Sequence, residues 1–123
     1  MGRYYDGDIE GKFWFAIQSS NDADFFGVEG QSNYLHYSFD EDNLEDIKKG
    51  IETCFAELGL YHMRLKNYFE QNNGYNSEKL AKHLKISEER LSELLTWYAR
   101  LELGRQIRSC VELQGQCNFE AEL

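Results

Sequence analysis

The chain has 123 residues, of which 41% are hydrophobic and 15% are aromatic. This length and composition fit one folded domain over residues 1–123 and exclude disordered and low-complexity chains. The formal net charge is −9, and residues 1–58 hold thirteen of the 22 carboxylates, so the overall field opposes nucleic acid and favours a basic partner.

A first strand is predicted over residues 8–18, because hydrophobic and polar side chains alternate there. The alternate positions that would face the core are Ile9, Gly11, Phe13, Phe15 and Ile17. Trp14 falls on the other side of this strand, so another element must cover it unless it remains an exposed aromatic.

Two further strands are predicted, over residues 34–39 and 116–123. Their apolar faces would hold Leu35, Tyr37 and Phe39 in the first, and Cys117, Phe119, Ala121 and Leu123 in the second. Antiparallel pairing of the three strands, with helices on one face, predicts an α+β fold in which a small sheet packs against two long helices and one short helix.

The first long helix is predicted over residues 44–68, where apolar side chains recur at alternating spacings of three and four residues. Asp42 would cap its start, with Glu45 in the capping-box position. We expect this apolar seam to pack against another helix of the same chain, although a seam of this length also allows pairing with a second copy.

Two more helices are predicted near the carboxyl end. Ser77 would cap a short helix, and Ser87 would cap a long one over residues 88–111. In the long helix, three apolar side chains fall outside the main apolar stripe, namely Trp97, Leu103 and Ile107. This surplus predicts a two-fold homodimer with helices at its interface.

Membrane and metal features are not indicated by the sequence. No uncharged apolar run reaches the ~18 residues of a membrane span, and the first residues lack the apolar stretch of a signal peptide, so a cytoplasmic protein without a membrane partner is expected. Cys54, Cys110 and Cys117 are odd in number and have no Cys-x-x-Cys spacing, so we predict buried thiols, no zinc site and no cofactor.

Residues 77–95 resemble the helix-turn-helix family of DNA-binding regulators. The residues that carry the resemblance are Leu80, Ala81, Leu84, Ile86, Ser87 and Leu91. A DNA-binding protein of this type would use Lys79, Lys82, His83, Lys85 and Arg90. The chain departs from the family at the turn, where Lys85 replaces the usual Gly. It also departs on the second helix, where carboxylates surround Arg90, so DNA binding is the alternative hypothesis.

The stretch over residues 2–27 resembles the start of small phage and other viral proteins. That resemblance implies an origin and no particular chemistry. The sequence also lacks a phosphate-binding loop, a zinc-protease motif and a serine-hydrolase motif. We therefore expect a non-enzymatic protein of phage or viral type.

The principal hypothesis is an acidic protein that docks on a basic surface of a host or defence protein, as a nucleic-acid mimic or inhibitor. The side chains expected to bind the partner are Tyr4, Tyr5, Asp6, Asp8, Glu10, Trp14, Asp22, Asp24, Asp40, Glu41, Asp42, Glu45 and Asp46. A further alternative is an enzyme in which two Asp-x-Asp pairs, Asp6 with Asp8 and Asp22 with Asp24, hold a divalent cation for phosphoryl chemistry. A small ligand in an aromatic pocket is also left open.

Overall fold

A computed structural model of the chain describes residues 3–14, 17–30, 35–72 and 74–122. The strands are β1 (Tyr4–Gly7), β2 (Gly11–Lys12), β3 (Leu35–Asp40) and β4 (Gln116–Ala121), and the α-helices are α1 (Leu44–Leu58), α2 (Tyr61–Gln71), α3 (Ser77–Leu84) and α4 (Glu88–Gln114). Short 3₁₀ helices cover Asp22–Phe26 and Glu41–Asn43. The predicted α+β class is confirmed. None of the described helices has the length and apolar character that crossing a bilayer demands.

The strands form one antiparallel sheet in the order β2-β1-β4-β3. Alternation along β3 and β4 buries Tyr37, Phe39, Cys117 and Phe119 on the inner face. The ring centroids of Tyr37 and Phe119 lie 5.2 Å apart in a stacked arrangement. Helices cover this inner face, as predicted, and leave the outer face open to solvent.

The first predicted strand is wrong in position. β1 precedes the predicted range, and residues 8–10 form the turn to the short β2. Gly7 explains the early end of β1, because its φ of 142° is a conformation that other residues rarely adopt. Ile9 and Phe13 are nevertheless buried as expected. Phe15 lies outside the described residues.

The first long helix is also wrong, because the chain breaks between α1 and α2. Gly59 adopts φ 53° and ψ −133° directly after Leu58, which ends the helical path. The apolar seam continues through the break, so Ile47, Ile51 and Cys54 of α1 and Leu65 of α2 are all buried. The expectation that the seam packs within the chain is confirmed, since α1 lies against α4.

Helix starts were predicted with mixed success. Ser87 caps α4, since its side chain accepts a hydrogen bond from the Arg90 amide at 3.1 Å. Asn76, and not Ser77, caps α3 by accepting from the Lys79 amide. The capping box near α1 is built on Asp40 and Asn43, and not on Asp42 and Glu45, because a 3₁₀ turn precedes the α-helix. These errors are shifts of one or two residues.

The basis of the predicted helical dimer is wrong. Leu103 and Ile107 are 1% and 0% exposed within the single chain, so they leave no apolar surplus. Trp97 is half-buried and packs against Phe25, with 5.6 Å between ring centroids. The predicted stripe missed these contacts because elements on several sides surround α4.

Phe26 is held between two glycines on different helices. A Cβ atom added at Gly50 of α1 would lie 2.7 Å from the phenyl ring, and one added at Gly104 of α4 would lie 2.4 Å from it. The ring is fully buried. These two glycines therefore let the 3₁₀ helix of residues 22–26 insert an aromatic side chain between α1 and α4.

Candidate functional site

The outer face of the sheet gathers polar side chains from all four strands. Residues that point outward lie at alternate positions along each strand. They are Tyr4, Asp6, Lys12, His36, Ser38, Asp40, Gln116, Asn118 and Glu120, and Glu122 follows β4 on the same side. We call this set the acidic outer face.

Two carboxylates stand directly opposite each other on this face. Asp6 of β1 pairs in register with Glu120 of β4, and like charges in opposed positions destabilise a sheet. On its other side, Glu120 pairs with His36 of β3, whose Nδ1 lies 3.9 Å from the carboxylate. Glu122 lies beyond this row, and its carboxylate is 3.4 Å from the Tyr4 amide.

Further carboxylates continue the acidic outer face at the end of β3. Asp40 pairs in register with Gln116, and Glu41 and Asp42 follow in the 3₁₀ turn. All three are exposed. The carboxylate of Glu41 lies beside Gly115, at the start of β4. The acidic surface therefore extends about four residues along β3, or roughly 13 Å.

Little positive charge compensates this surface. Among the residues that the structure describes, Lys12 is the one lysine or arginine on the acidic outer face, and its Nζ lies 5.9 Å from the centre of the Tyr4 ring. Tyr4 is itself 49% exposed. Beside the carboxylates, this face therefore offers an exposed aromatic ring to a partner.

Two predicted partner-binding residues are buried instead. Tyr5 is 5% exposed and packs on Phe13 and Phe119. Asp22 is also 5% exposed. Neither side chain can contact a partner, so these two predictions are wrong. Tyr5 faces inward because it alternates with Tyr4, and Asp22 faces inward because it binds an arginine of α4.

That arginine is Arg100. Its Nε donates to Asp22 Oδ1 at 2.8 Å, and Gln18 Nε2 donates to Asp22 Oδ2 at 2.8 Å. The guanidinium also lies 4.7 Å from the ring centres of both Phe25 and Trp97. This buried cluster ties the 3₁₀ helix of residues 22–26 to α4 and uses up the carboxylate that one Asp-x-Asp pair would offer a metal.

The other predicted acidic residues are dispersed. Asp8 accepts a hydrogen bond from the Asn118 amide at the end of β1, and Glu10 is exposed in the following turn. Asp24 accepts from the Tyr37 hydroxyl and the Gly30 amide. Glu45 pairs with Lys49 at 3.4 Å on α1. Asp46 is exposed nearby, with its Cβ close to Gly27.

Trp14 is half-buried under other aromatic rings. Its ring centroid lies 5.6 Å from that of Phe69, 6.2 Å from that of Tyr75 and 6.1 Å from that of Tyr98. Of the two alternatives that the sequence left open for Trp14, the structure shows the covered one, with rings of other elements around the indole. Its role in binding a partner stays a prediction.

The residues of the DNA-binding alternative lie on α3, the following turn and the start of α4. Lys79, Lys82, His83 and Lys85 are exposed. Lys82 pairs with Glu78 at 3.3 Å, and Arg90 pairs with Glu93 at 2.9 Å. Lys85 has a φ of 60°, so the turn adopts the left-handed conformation at the position where the family usually has Gly. DNA binding stays a prediction.

The buried thiols are poor nucleophiles. Burial raises the pKa of Cys54 to about 12, and burial together with a hydrogen bond to Cys110 raises the pKa of Cys117. Both side chains are therefore neutral thiols near pH 7, and the thiolate is the reactive form. Burial also raises the pKa of Tyr37, and the hydrogen bond to Asp24 raises it further.

The described residues hold no group of three or more His, Cys, Asp or Glu side chains that could bind a metal ion.

A groove of about 540 Å³ runs beside α4. Carboxylates and a guanidinium both line it, from Asp8, Glu102 and Arg105. The small-ligand alternative stays a prediction.

Glu120 and Glu122 were not among the site residues predicted from the sequence. Both occupy polar positions of the last predicted strand, so the alternation already placed them on the solvent side. Pairing of β4 with β1 is what brings Glu120 opposite Asp6.

Comparisons of the chain with family models, with curated proteins and with solved structures each found no match.

Proposed function

We propose that this chain is a non-enzymatic binding protein whose acidic outer face docks on a basic surface of another protein. The observation that carries the proposal is the direct opposition of Asp6 and Glu120 on an open sheet face. A basic side chain at either position would stabilise the sheet. Two opposed carboxylates therefore make the sheet less stable than an acidic residue opposite a basic one would. A basic partner would supply the missing positive charge.

The chemistry of this face fits a protein partner. The carboxylates are held on paired strands and on a capped turn, so they are positioned before binding and lose little conformational freedom. Repeated carboxylates on a rigid surface can occupy a site that binds phosphates, which makes the chain a candidate nucleic-acid mimic or inhibitor. The resemblance of residues 2–27 to phage and viral proteins supports a host or defence protein as the partner.

The test is affinity capture from a bacterial lysate by the immobilised chain. The outer-face variant carries Asp6→Asn, Glu120→Gln and Glu122→Gln. The control variant carries Glu52→Gln, Glu57→Gln and Glu70→Gln, which remove the same charge from exposed helical positions. We expect the native chain and the control variant to retain the same basic protein, and the outer-face variant to lose it.

Salt provides the second criterion, because screening weakens contacts between exposed charges. The retained protein should elute as the salt concentration rises to about 0.5 M. Equal retention by the outer-face variant, or a complex that is insensitive to salt, would contradict the proposal.

Asp6→Lys should make the folded chain more stable. A lysine at residue 6 would face Glu120 with opposite charge, so we expect the free energy of unfolding to rise by about 1 kcal/mol. Asp6→Asn removes the repulsion without adding attraction and should give about half that gain. Urea denaturation measures both. A less stable Asp6→Lys chain would show that the opposed carboxylates carry no such cost.

A further inference from the structure

β3 is an edge strand, and its backbone hydrogen bonds can be assigned. Asn118 of β4 uses both of its backbone groups toward β1, since its C=O accepts from the Asp8 amide at 2.7 Å and its N–H donates to Asp8 Oδ2 at 2.8 Å. The Glu122 amide likewise donates to the Tyr4 C=O at 2.9 Å. The even-numbered residues of β4 therefore point their backbone groups toward β1.

The backbone groups that β4 directs toward β3 are therefore those of its odd-numbered residues. In an antiparallel pair, hydrogen-bonded and non-hydrogen-bonded residues alternate, so the odd-numbered residues of β4 bond to Leu35, Tyr37 and Phe39. His36 and Ser38 then direct their N–H and C=O groups away from β4, as does the C=O of Asp40. The Asp40 N–H is already satisfied by Asn43 Oδ1 at 2.9 Å.

Nothing in the described part of the chain pairs with this outer edge of β3. Residues 35–40 also contain no Pro, Lys or Arg, the residues that most often block pairing at such an edge. Free backbone groups on such a strand are a template for another strand.

We propose that β3 pairs with β3 of a second copy of this chain, antiparallel and about a two-fold axis at Ser38. In this register Ser38 exchanges two backbone hydrogen bonds with Ser38 of the partner subunit. The His36 amide donates to the C=O of Asp40 of the partner subunit, and the symmetric bond forms as well. The two sheets become one continuous sheet of eight strands.

Side-chain pairing selects this register among those that the backbone allows. With the axis at Ser38, the His36 side chain lies directly opposite Asp40 of the partner subunit on the same face, where an imidazole N–H can donate a hydrogen bond to the carboxylate. A shift of the axis to Tyr37 pairs His36 with serine, and a shift to Phe39 pairs Asp40 with serine. Of these three registers, only the one at Ser38 places an acidic group of the partner subunit opposite each histidine.

This pairing does not depend on the proposed function, because its hydrogen bonds join the backbone edges of two β3 strands, although the His36 and Asp40 side chains that set the register also belong to the acidic outer face. It differs from the dimer predicted from the sequence, which used helices. It also brings two acidic outer faces into one plane, each beside the two-fold axis.

Light scattering across a concentration series, with sedimentation to obtain the dissociation constant, tests the proposal. The native chain should reach twice its mass of 14.5 kDa. Ser38→Lys places two ammonium groups against each other at the axis and should weaken the dimer at least tenfold. Ser92→Lys, the same change at an exposed position of α4, should leave it unchanged.

A second pair of variants tests the register. His36→Asp faces a carboxylate of the partner subunit and should weaken the dimer, whereas His36→Lys should keep it. Thermal unfolding monitored by circular dichroism verifies that each variant is folded. In the native dimer, the amides of His36 and Ser38 should exchange slowly with solvent.

Three results would overturn the proposal. The first is a native chain that stays at 14.5 kDa up to the highest soluble concentration. The second is a dimer that Ser38→Lys leaves intact. The third is a dimer in which the His36 and Ser38 amides exchange as fast as they do in the monomer.

Discussion

Gly104→Ala is expected to lower the free energy of unfolding by about 2 kcal/mol, although the same change in an exposed helix raises it by about 1 kcal/mol. The new Cβ atom would lie 2.4 Å from Cε1 and 2.5 Å from Cζ of Phe26. The ring has little room to move, because its side chain is fully buried and the same edge already lies against Gly50 of α1. Urea denaturation, followed by far-ultraviolet circular dichroism, measures the loss.

Ser109→Ala is the matched control, because it adds helix propensity on an exposed position of α4 and should stabilise the chain slightly. Phe26→Leu shortens the side chain that Gly104→Ala would strike. We therefore expect the double variant to be more stable than the sum of the two separate losses predicts. Strictly additive losses would show that residue 104 and the ring do not compete for the same space.

Arg100→Met should destabilise the chain by about 3 to 5 kcal/mol. It leaves the Asp22 carboxylate, whose side chain is 4% exposed, without the guanidinium that lies 2.8 Å away. In this buried site the carboxylate would keep the hydrogen bond from the Gln18 amide but would lose its paired charge, and water would not replace it. The aromatic contacts of the guanidinium with Phe25 and Trp97 are lost at the same time.

Arg108→Met on the same helix is the control for this change. Arg108 pairs with Glu112 at 3.1 Å, but about two-fifths of both side chains is exposed, at 42% and 45%, so its removal should cost less than about 1 kcal/mol. Asp22→Asn combined with Arg100→Met removes both charges and should recover part of the loss. Equal losses for Arg100→Met and Arg108→Met would contradict the role assigned to burial.

The features that local patterns predicted are those with short-range causes. Alternation in β4 places Cys117 and Phe119 inside, and the Ser87 cap fixes the start of α4. The apolar seam identified the buried side of both α1 and α2. The seam did not show that the helix ends between α1 and α2. Gly59 takes the backbone out of the helical conformation there, but the three- and four-residue spacing of apolar side chains continues past it.

The features that the sequence could not provide depend on contacts between distant residues. Asp22 was predicted to contact a partner or a cation, but it is paired with Arg100, which lies 78 positions later in the chain. Leu103 and Ile107 were predicted to be surplus apolar surface because only one side of the helix was assumed to face the core. Several elements surround α4, so both side chains are buried. Neighbouring residues contain no information about such contacts.

The candidate site was partly predictable for the same reason. Asp6 and Asp40 were identified from the charge of the first half of the chain, and both are on the acidic outer face. Glu120 was missed because its significance comes from pairing with Asp6. That pairing follows from the order of strands in the sheet, which charge counts along the chain do not provide.

The central position of β4 has a consequence for folding during synthesis. Among the described strands, β4 bonds to both β1 and β3, while those two do not bond to each other. The pairing of Tyr5 with Ala121, its partner in register, therefore cannot form until β4 has been synthesised. Contacts between residues so far apart in sequence form slowly. While the ribosome is still translating α4, β1 and β3 have no common neighbour, and their aromatic side chains stay accessible to chaperones and proteases until residues 116–121 emerge.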